Sequence, residues 1–230
     1  MRAEVIGLLL GAVLFAGPAS AYDVNDPNNC SGVEWDDKRI VAVAKVTAQP
    51  RVNFVKSPYD DDFTAEGCPA ATKACRMKSY LVTGDLVLVG KTQGDFTCIS
   101  YKSPQSKKQI WTTAWLPSAA LTPVAPMASP KKSDWIGTWC HPGCSIDIES
   151  GQGDKLHIEG VMLVQAAREV RNGTFEADVA PESDTIAFGD GYDDGCRVRM
   201  QRVGSWLLVQ DNRACGGYGV TFTGLYRRKK

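Results

Sequence analysis

Eight cysteines, divided four and four about a proline-rich stretch, constrain the fold of this chain more than any other feature of its sequence. They are Cys30, Cys68, Cys75, Cys98, Cys140, Cys144, Cys196 and Cys215. An even number of cysteines in an exported chain is typical of a disulfide framework. Because each half can close two bridges of its own, we expect two disulfide-stabilised domains.

The N-terminus has the pattern of a secretory signal peptide. Arg2 precedes an apolar run over residues 5–16, and Gly17-Pro18 leads into Ala19-Ser20-Ala21. The run is too short to span a bilayer stably, and no cysteine for lipidation stands at the cleavage point. We therefore predict a signal peptide over residues 1–21, no membrane span, and a mature chain that begins near Tyr22 and is periplasmic or secreted. An uncleaved anchor is the alternative.

The proline-rich stretch predicts the domain boundary. Pro117, Pro123, Pro126 and Pro130 are spaced through small residues and serine, as in an interdomain linker. We place a first domain at 22–122, the linker at 123–133 and a second domain at 134–230. The formal net charge is zero, so no nucleic-acid surface is indicated.

The first domain has the pattern of a small β-barrel. Alternating and β-branched segments between turn residues predict strands over 40–47, 79–82, 86–91, 96–101 and 109–116. Five short strands in this length favour a small barrel. A long polar segment from Pro58 to Thr72 follows the first strand, where a binding loop is expected.

Three segments of this domain resemble bacterial SH3-type domains, over residues 40–122. They are Tyr80-Leu81-Val82-Thr83-Gly84-Asp85-Leu86-Val87-Leu88-Val89, Asp95-Phe96-Thr97-Cys98-Ile99-Ser100-Tyr101 and Trp115-Leu116-Pro117-Ser118-Ala119-Ala120-Leu121. The resemblance implies that the last segment closes the barrel with a short 3₁₀ turn, although Ala114 stands where the family usually has glycine. It also implies a ligand groove beside the long loop, with an aromatic shelf formed by Tyr59, Tyr80, Tyr101, Trp111 and Trp115. Core packing is the alternative for these aromatic residues.

The second domain has the pattern of an up-and-down antiparallel β-barrel, so the whole chain is expected to be all-β. The predicted strands cover 136–140, 145–149, 155–160, 174–179, 185–188, 196–203, 206–210 and 220–227. A short helix over 164–171 is a further possibility. The opening Trp135-Ile136-Gly137-Thr138-Trp139 and the closing Phe222-Thr223-Gly224-Leu225-Tyr226 resemble the end strands of calycin-like barrels, and the general plan resembles secreted lysozyme inhibitors.

The loop from Asp211 to Gly219 is the richest in polar residues, and its candidate ligand-binding residues are Asp211, Asn212, Arg213 and Tyr218. The turn at Gly204-Ser205 places Cys196 opposite Arg213, which predicts a disulfide between Cys196 and Cys215. Cys140 and Cys144 would then pair with each other, or the four would pair crosswise. In the first domain we expect Cys30–Cys68 and Cys75–Cys98 among three possible connectivities.

Catalytic and metal-binding motifs are weak. The only imidazoles are His141 and His157, and no Gly-x-Ser-x-Gly elbow is present. The spacing of Cys140-His141-Pro142-Gly143-Cys144 does not match a zinc or haem motif, and the acidic stretch over 190–195 lacks the alternating ligands of a calcium loop. We expect no enzyme activity, no cofactor and no metal.

These features favour an exported, non-enzymatic binding protein of the bacterial envelope that recognises a peptidoglycan peptide or a protein partner through its SH3-like domain. The alternative is an inhibitor or immunity protein directed against a cell-wall hydrolase, such as a lysozyme or an amidase. The oligomeric state stays open.

Overall fold

The structure is a computed structural model that describes residues 23, 25–36, 38–60, 65, 67–103, 111–141, 143–165, 169–189, 191 and 195–229. The predicted signal peptide lies outside these residues. Within them the chain forms two antiparallel sheets, which confirms the predicted all-β class.

The first sheet has seven strands. They are β1 (Ala42–Val46), β2 (Arg51–Val55), β3 (Arg76–Val82), β4 (Leu86–Gln93), β5 (Phe96–Lys102), β6 (Trp111–Pro117) and β7 (Leu121–Val124). Their order is β3-β2-β6-β5-β4-β1-β7. The five predicted strands are all present, and β2 and β7 are additional. A 3₁₀ turn over Ser118–Ala120 follows β6, where the resemblance to SH3-type domains implies one.

Apolar residues that alternate along these strands form the first core. Val46, Val87, Ile99 and Leu116 are fully buried and pack together with Phe54 and Leu81. Alternation places successive side chains on opposite faces, so the other face of the sheet packs separately. On that face Trp115 packs with the cysteines of the first half and with Phe96.

The described residues before β1 form no strand, yet they are held across β5 and β6. The Trp115 indole Nε1 donates to the Asn28 carbonyl at 2.8 Å, and the Val33 backbone N–H donates to Ser100 Oγ at 3.3 Å. This path puts Cys30 beside Cys98, and the two form a disulfide, while Cys68 and Cys75 close a short loop. The predicted pairings Cys30–Cys68 and Cys75–Cys98 are therefore wrong.

The second sheet follows a short helix, α1 (Lys132–Trp135), and has eight strands. They are β8 (Gly137–His141), β9 (Cys144–Ser150), β10 (Leu156–Gln165), β11 (Val170–Val179), β12 (Thr185–Gly189), β13 (Arg197–Val203), β14 (Trp206–Asp211) and β15 (Gly224–Arg228). Their order is β11-β10-β9-β8-β15-β14-β13-β12, so β8 and β15, the first and last of these strands along the chain, pair with each other. The antiparallel barrel is nearly closed. All eight predicted strands are present.

The helix predicted over 164–171 is wrong at both of its ends. Residues 164–165 complete β10, and residues 170–171 begin β11. The two strands pair from Leu156 opposite Val179 to Gln165 opposite Val170. Long-range pairing along the whole ladder thus overrides the weak helical periodicity of this segment. Residues 166–168 lie outside the described part of the chain.

Disulfide formation in the second half differs from the prediction. Cys196 and Cys215 form the predicted bridge, whereas Cys140 and Cys144 are free thiols. Cys144 pairs with His141 across the β8–β9 hairpin, so it shares the face of His141 and not that of Cys140. Successive side chains of a strand point to opposite faces, and the two thiols therefore cannot meet.

The two sheets pack against each other through apolar side chains. Val43 and Leu88 of the first sheet form one buried cluster with Val203 and Leu208 of the second. Trp111 and Leu225 border this cluster and are only partly buried. Beside this contact the sheets diverge, and a cleft opens between them.

Candidate functional site

The cleft between the two sheets has a volume of about 720 Å³. Three parts of the chain form its walls: residues 31–35 of the N-terminal segment, the strands β5 and β6, and residues 210–223 of the second sheet. A volume of this size is within the range of sites for small ligands, which span roughly 300–1,000 Å³. The cleft is therefore the candidate functional site.

Gln210 joins two of these walls. It lies on β14 and is only 2% exposed. Its Oε1 accepts a hydrogen bond from the Val41 backbone N–H at 2.8 Å, and its Nε2 donates to the Glu34 carbonyl at 2.8 Å. Both ends of the carboxamide are used, so the N-terminal segment is fixed on the second sheet as one wall of the cleft.

The loop after β14 is held by its own side chains and by a disulfide. Asn212 Oδ1 accepts from the backbone N–H groups of Arg197 and Ala214, at 3.0 and 3.2 Å. Its Nδ2 donates to the Gly195 carbonyl at 2.7 Å. The Cys196–Cys215 disulfide adds a covalent tie at the same place. Asn212 is thus fully engaged in shaping the loop.

The far side of the loop touches β11 through two glycines. Gly216 and Gly173 form an isolated β-bridge, and the Gly217 N–H donates to the Asn172 carbonyl at 3.2 Å. A Cβ on Gly173 would lie 2.6 Å from the Cys215 carbonyl oxygen, and one on Gly216 would lie 2.7 Å from the Gly173 Cα. The backbones can approach this closely only because neither residue has a side chain.

Tyr218 and Arg213 are the large exposed side chains of this loop. Tyr218 is 89% exposed, its carbonyl accepts a hydrogen bond from Arg171 Nη1 at 2.9 Å, and the Arg171 guanidinium lies 5.5 Å from the centre of its ring. Arg213 has a left-handed backbone with a φ of 65°. Both residues lie at the edge of the cleft.

Asp211 lies in the cleft wall and is only 3% exposed. Its Oδ1 accepts hydrogen bonds from the Thr223 backbone N–H at 3.0 Å, from Thr223 Oγ1 at 2.8 Å and from Thr221 Oγ1. Its Oδ2 is buried and has no hydrogen-bond partner. One oxygen of this carboxylate is therefore saturated and the other is unsatisfied.

Two tryptophans supply the aromatic surface of the cleft. Trp111 lines it from β6, and the Lys102 ammonium lies 5.6 Å from the centre of its ring. Trp35 lines it from the N-terminal segment, with the guanidinium groups of Arg199 and Arg197 at 5.2 and 5.9 Å from its ring centre. Both rings are partly exposed and offer an apolar contact surface.

Trp111 also lines a much smaller cavity, of about 80 Å³. Lys102 and His141 line it, and Cys144 lies nearby, where it donates a hydrogen bond to the Tyr226 hydroxyl at 3.3 Å. Burial lowers the pKa of Lys102 to about 8 and raises the pKa of Cys144 to about 12. Burial also raises the pKa of Tyr226. At neutral pH the thiol is therefore protonated and is a poor nucleophile.

The structure brings five of the nine predicted ligand-binding residues together in the large cleft: Trp111, Asp211, Asn212, Arg213 and Tyr218. The other four aromatic residues lie elsewhere. Trp115 is 0% exposed and belongs to the core, and Tyr101 lines the smaller cavity. Tyr59 donates a hydrogen bond to Asp26 Oδ2 at 3.0 Å, and Tyr80 lies on the edge strand β3 under the Arg51 guanidinium. They form no common aromatic shelf.

Sequence reasoning missed the contribution of the N-terminal segment. Glu34 and Trp35 line the cleft, and Gln210 anchors their segment. Residues 30–36 show neither strand alternation nor a motif, and the only available signal was a tryptophan within a polar stretch.

The described residues also contain one group that could hold a metal ion. It consists of His157, Glu159 and Glu176, whose ligand atoms lie within 4.8 Å of one another on the outer face of the second sheet. His157 Nε2 lies 3.2 Å from Glu159, and its Nδ1 lies 3.0 Å from Asp178. Hydrogen bonds to Glu159 and Asp178 raise the pKa of His157, which favours an imidazolium held between carboxylates.

Comparisons with protein-family models, with curated proteins and with solved structures found no match for this chain. In the described ranges, no helix is long and apolar enough to cross a membrane. What the cleft can bind therefore follows from its own residues.

Proposed function

We propose that this chain is an exported binding protein of the bacterial envelope that holds a short peptide, such as a peptidoglycan stem peptide, in the cleft between its two sheets. The observation that carries the proposal is the cleft itself, which has the volume of a small-ligand site. Export is supported by the signal-peptide pattern and by three disulfides, which are typical of oxidising compartments.

The chemistry of the walls suits a peptide. Trp35 and Trp111 offer apolar faces, while Asp211 and Arg213 supply polar groups. A ligand that combines apolar stems with amides and charges can use both kinds of contact. The disulfide and the Gln210 bonds fix the walls before the ligand arrives, which reduces the entropy lost on binding.

The test is the binding of a synthetic stem pentapeptide to the purified mature chain, measured by calorimetry and by tryptophan fluorescence. We expect Trp111→Ala to weaken binding by tenfold or more. Tyr80→Ala is the matched control, because Tyr80 is a 46% exposed aromatic residue outside the cleft. If neither the pentapeptide nor sedimented peptidoglycan binds, or if both variants bind like the wild type, the proposal is wrong.

One observation favours a second candidate, an inhibitor of a cell-wall hydrolase. The loop that presents Tyr218 and Arg213 is fixed by a disulfide and by contacts with β11. Rigid loops that expose tyrosine and arginine are common in tight protein interfaces. A turbidity assay with lysozyme and with an amidase tests it: inhibition that Tyr218→Ala removes supports the candidate, and undisturbed lysis excludes it for those enzymes.

A further inference from the structure

In the described part of the chain, the Asp211 side chain has neutral hydrogen-bond partners only, and its Oδ2 has none. The three donors to its Oδ1 are neutral groups of Thr221 and Thr223. None of the ion pairs in the described part of the chain includes it. Burying a carboxylate costs free energy unless a cation or hydrogen bonds compensate for the lost water. A buried oxygen without a partner therefore indicates that a hydrogen-bond donor binds there.

The surroundings of Asp211 also suit a cation. Among the described residues that line the cleft, the charged ones are Glu34, Asp211 and Arg213, two acidic and one basic. The same cleft contains the partly exposed rings of Trp35 and Trp111, and cationic groups of the protein itself lie 5.2–5.9 Å from their centres: Arg199 and Arg197 at Trp35 and Lys102 at Trp111. Aromatic faces attract cations, and the attraction grows where water is excluded.

The hydrogen bonds of Asp211 select the kind of cation. A guanidinium binds a carboxylate best with two parallel bonds, one to each oxygen. Oδ1 already accepts three hydrogen bonds, so only Oδ2 remains for a ligand. A primary ammonium is a compact point charge that can use a single oxygen. Because Oδ2 is buried, the ammonium must displace neighbouring side chains to reach it.

We propose that Asp211 is the anchor for a primary ammonium group on the bound peptide, the side-chain amine of a lysine or another diamino acid. This inference rests on the proposed function and specifies the chemical group of the ligand that the cleft recognises. The rings of Trp35 and Trp111 contact the aliphatic stem, and Asp211 Oδ2 accepts a hydrogen bond from the ammonium at its end.

The experiment uses two probes that differ only in the charge of the amine. Both are stem pentapeptides with lysine at the third position and an acetylated N-terminus, and the second is also acetylated on the lysine side chain. Lysine acetylation removes the charge while keeping the stem. We expect the wild-type chain to bind the first probe at least tenfold more tightly than the second, and Asp211→Asn to bind both equally weakly.

The outcomes separate the two proposals. Equal affinity of the wild type for both probes, with both weakened by Trp111→Ala, overturns the ammonium anchor and leaves peptide binding standing. Binding of neither probe overturns the ammonium anchor, and if sedimented peptidoglycan does not bind either, it overturns peptide binding as well. Thermal unfolding of Asp211→Asn shows whether the variant folds. If it does not, the two probes still show with the wild type whether the cleft prefers the charged amine.

Discussion

The side-chain oxygen of Gln210 accepts a hydrogen bond from the backbone N–H of Val41, a residue 169 positions earlier in the chain. The same carboxamide donates to the carbonyl of Glu34. One buried side chain of the second sheet thus holds the segment that leads into the first.

Replacing this side chain should release the segment. Gln210→Ala removes the hydrogen bonds to the partly buried Val41 N–H and to the carbonyl of the exposed Glu34, which costs about 1–3 kcal/mol of the free energy of unfolding. Urea unfolding measures the cost, and hydrogen exchange at Val41 shows its location. Gln201→Ala is the control, because Gln201 is only partly buried and bonds Asp184 at 2.9 Å. Equal costs for the two variants would contradict the anchoring role.

The contact between the loop and β11 should depend on the absence of a side chain at Gly216. Gly216→Ala places a Cβ 2.7 Å from the Gly173 Cα, and such overpacking costs about 1–3 kcal/mol. Gly217→Ala is the matched control, since a Cβ there meets nothing within 4 Å. Thermal unfolding of the two variants compares them. A Gly216→Ala variant as stable as Gly217→Ala would show that the loop can move away freely.

The two free thiols should differ in reactivity. Cys140 is partly exposed, whereas Cys144 is buried and its pKa is raised to about 12. Because the thiolate is the reactive form, iodoacetamide at pH 8 should modify one thiol of the native chain and two after unfolding without reduction. Mass spectrometry counts the additions, and Cys140→Ser should abolish the native one. Native labelling of two thiols would contradict the placement of Cys144.

The pKa of His157 should lie above its ordinary value because of Glu159 and Asp178. A raised folded pKa means that this ion pair stabilises the fold fully below about pH 6.5, the unfolded value, and that the stabilisation is lost as the pH rises through the folded pKa. An NMR titration measures the pKa, which Asp178→Asn should lower. Glu149→Gln should not, although Glu149 lies opposite His157 on β9. If both variants lowered the pKa of His157 equally, general surface charge would be its cause, and not the hydrogen bond to Asp178.

Two tryptophans of the same strand should have opposite roles. Trp115 is fully buried and Trp111 is partly exposed, although both lie on β6. Trp115→Ala should cost about 3–5 kcal/mol of the free energy of unfolding. Trp111→Ala should cost about 1 kcal/mol or less, because a partly exposed ring loses fewer contacts. Urea unfolding of both variants tests this, and similar costs would place Trp111 in the core.

The strands were predictable where alternation is local and clear, as in β9 and β13. β2 was missed because its five residues follow directly on Pro50 and stand just before the polar segment that begins at Pro58. The Cys196–Cys215 bridge followed from counting through one tight turn. By contrast, the Cys30–Cys98 bridge depends on the path of an irregular segment across β5, which no periodicity encodes.

The candidate site was predictable only in part, for the same reason. The loop from Asp211 to Tyr218 stood out by its composition, and it does line the cleft. The roles of Trp35 and Gln210 could not be predicted, because they depend on the segment before β1 crossing to the second sheet. The resemblance to SH3-type domains stays a prediction, and the groove it implied does not gather Tyr59, Tyr80 and Trp115.

Two walls of the cleft come from segments far apart in the sequence, residues 31–35 and residues 210–223. This separation affects the order in which the cleft is assembled. Glu34 and its hydrogen-bond donor on Gln210 are separated by 176 residues. The N-terminal wall can dock on β5 and β6 once these strands exist, but it cannot attach to the second sheet until β14 has been made. A chain that stops before β14 would still contain both tryptophans of the cleft, yet it would have no binding site.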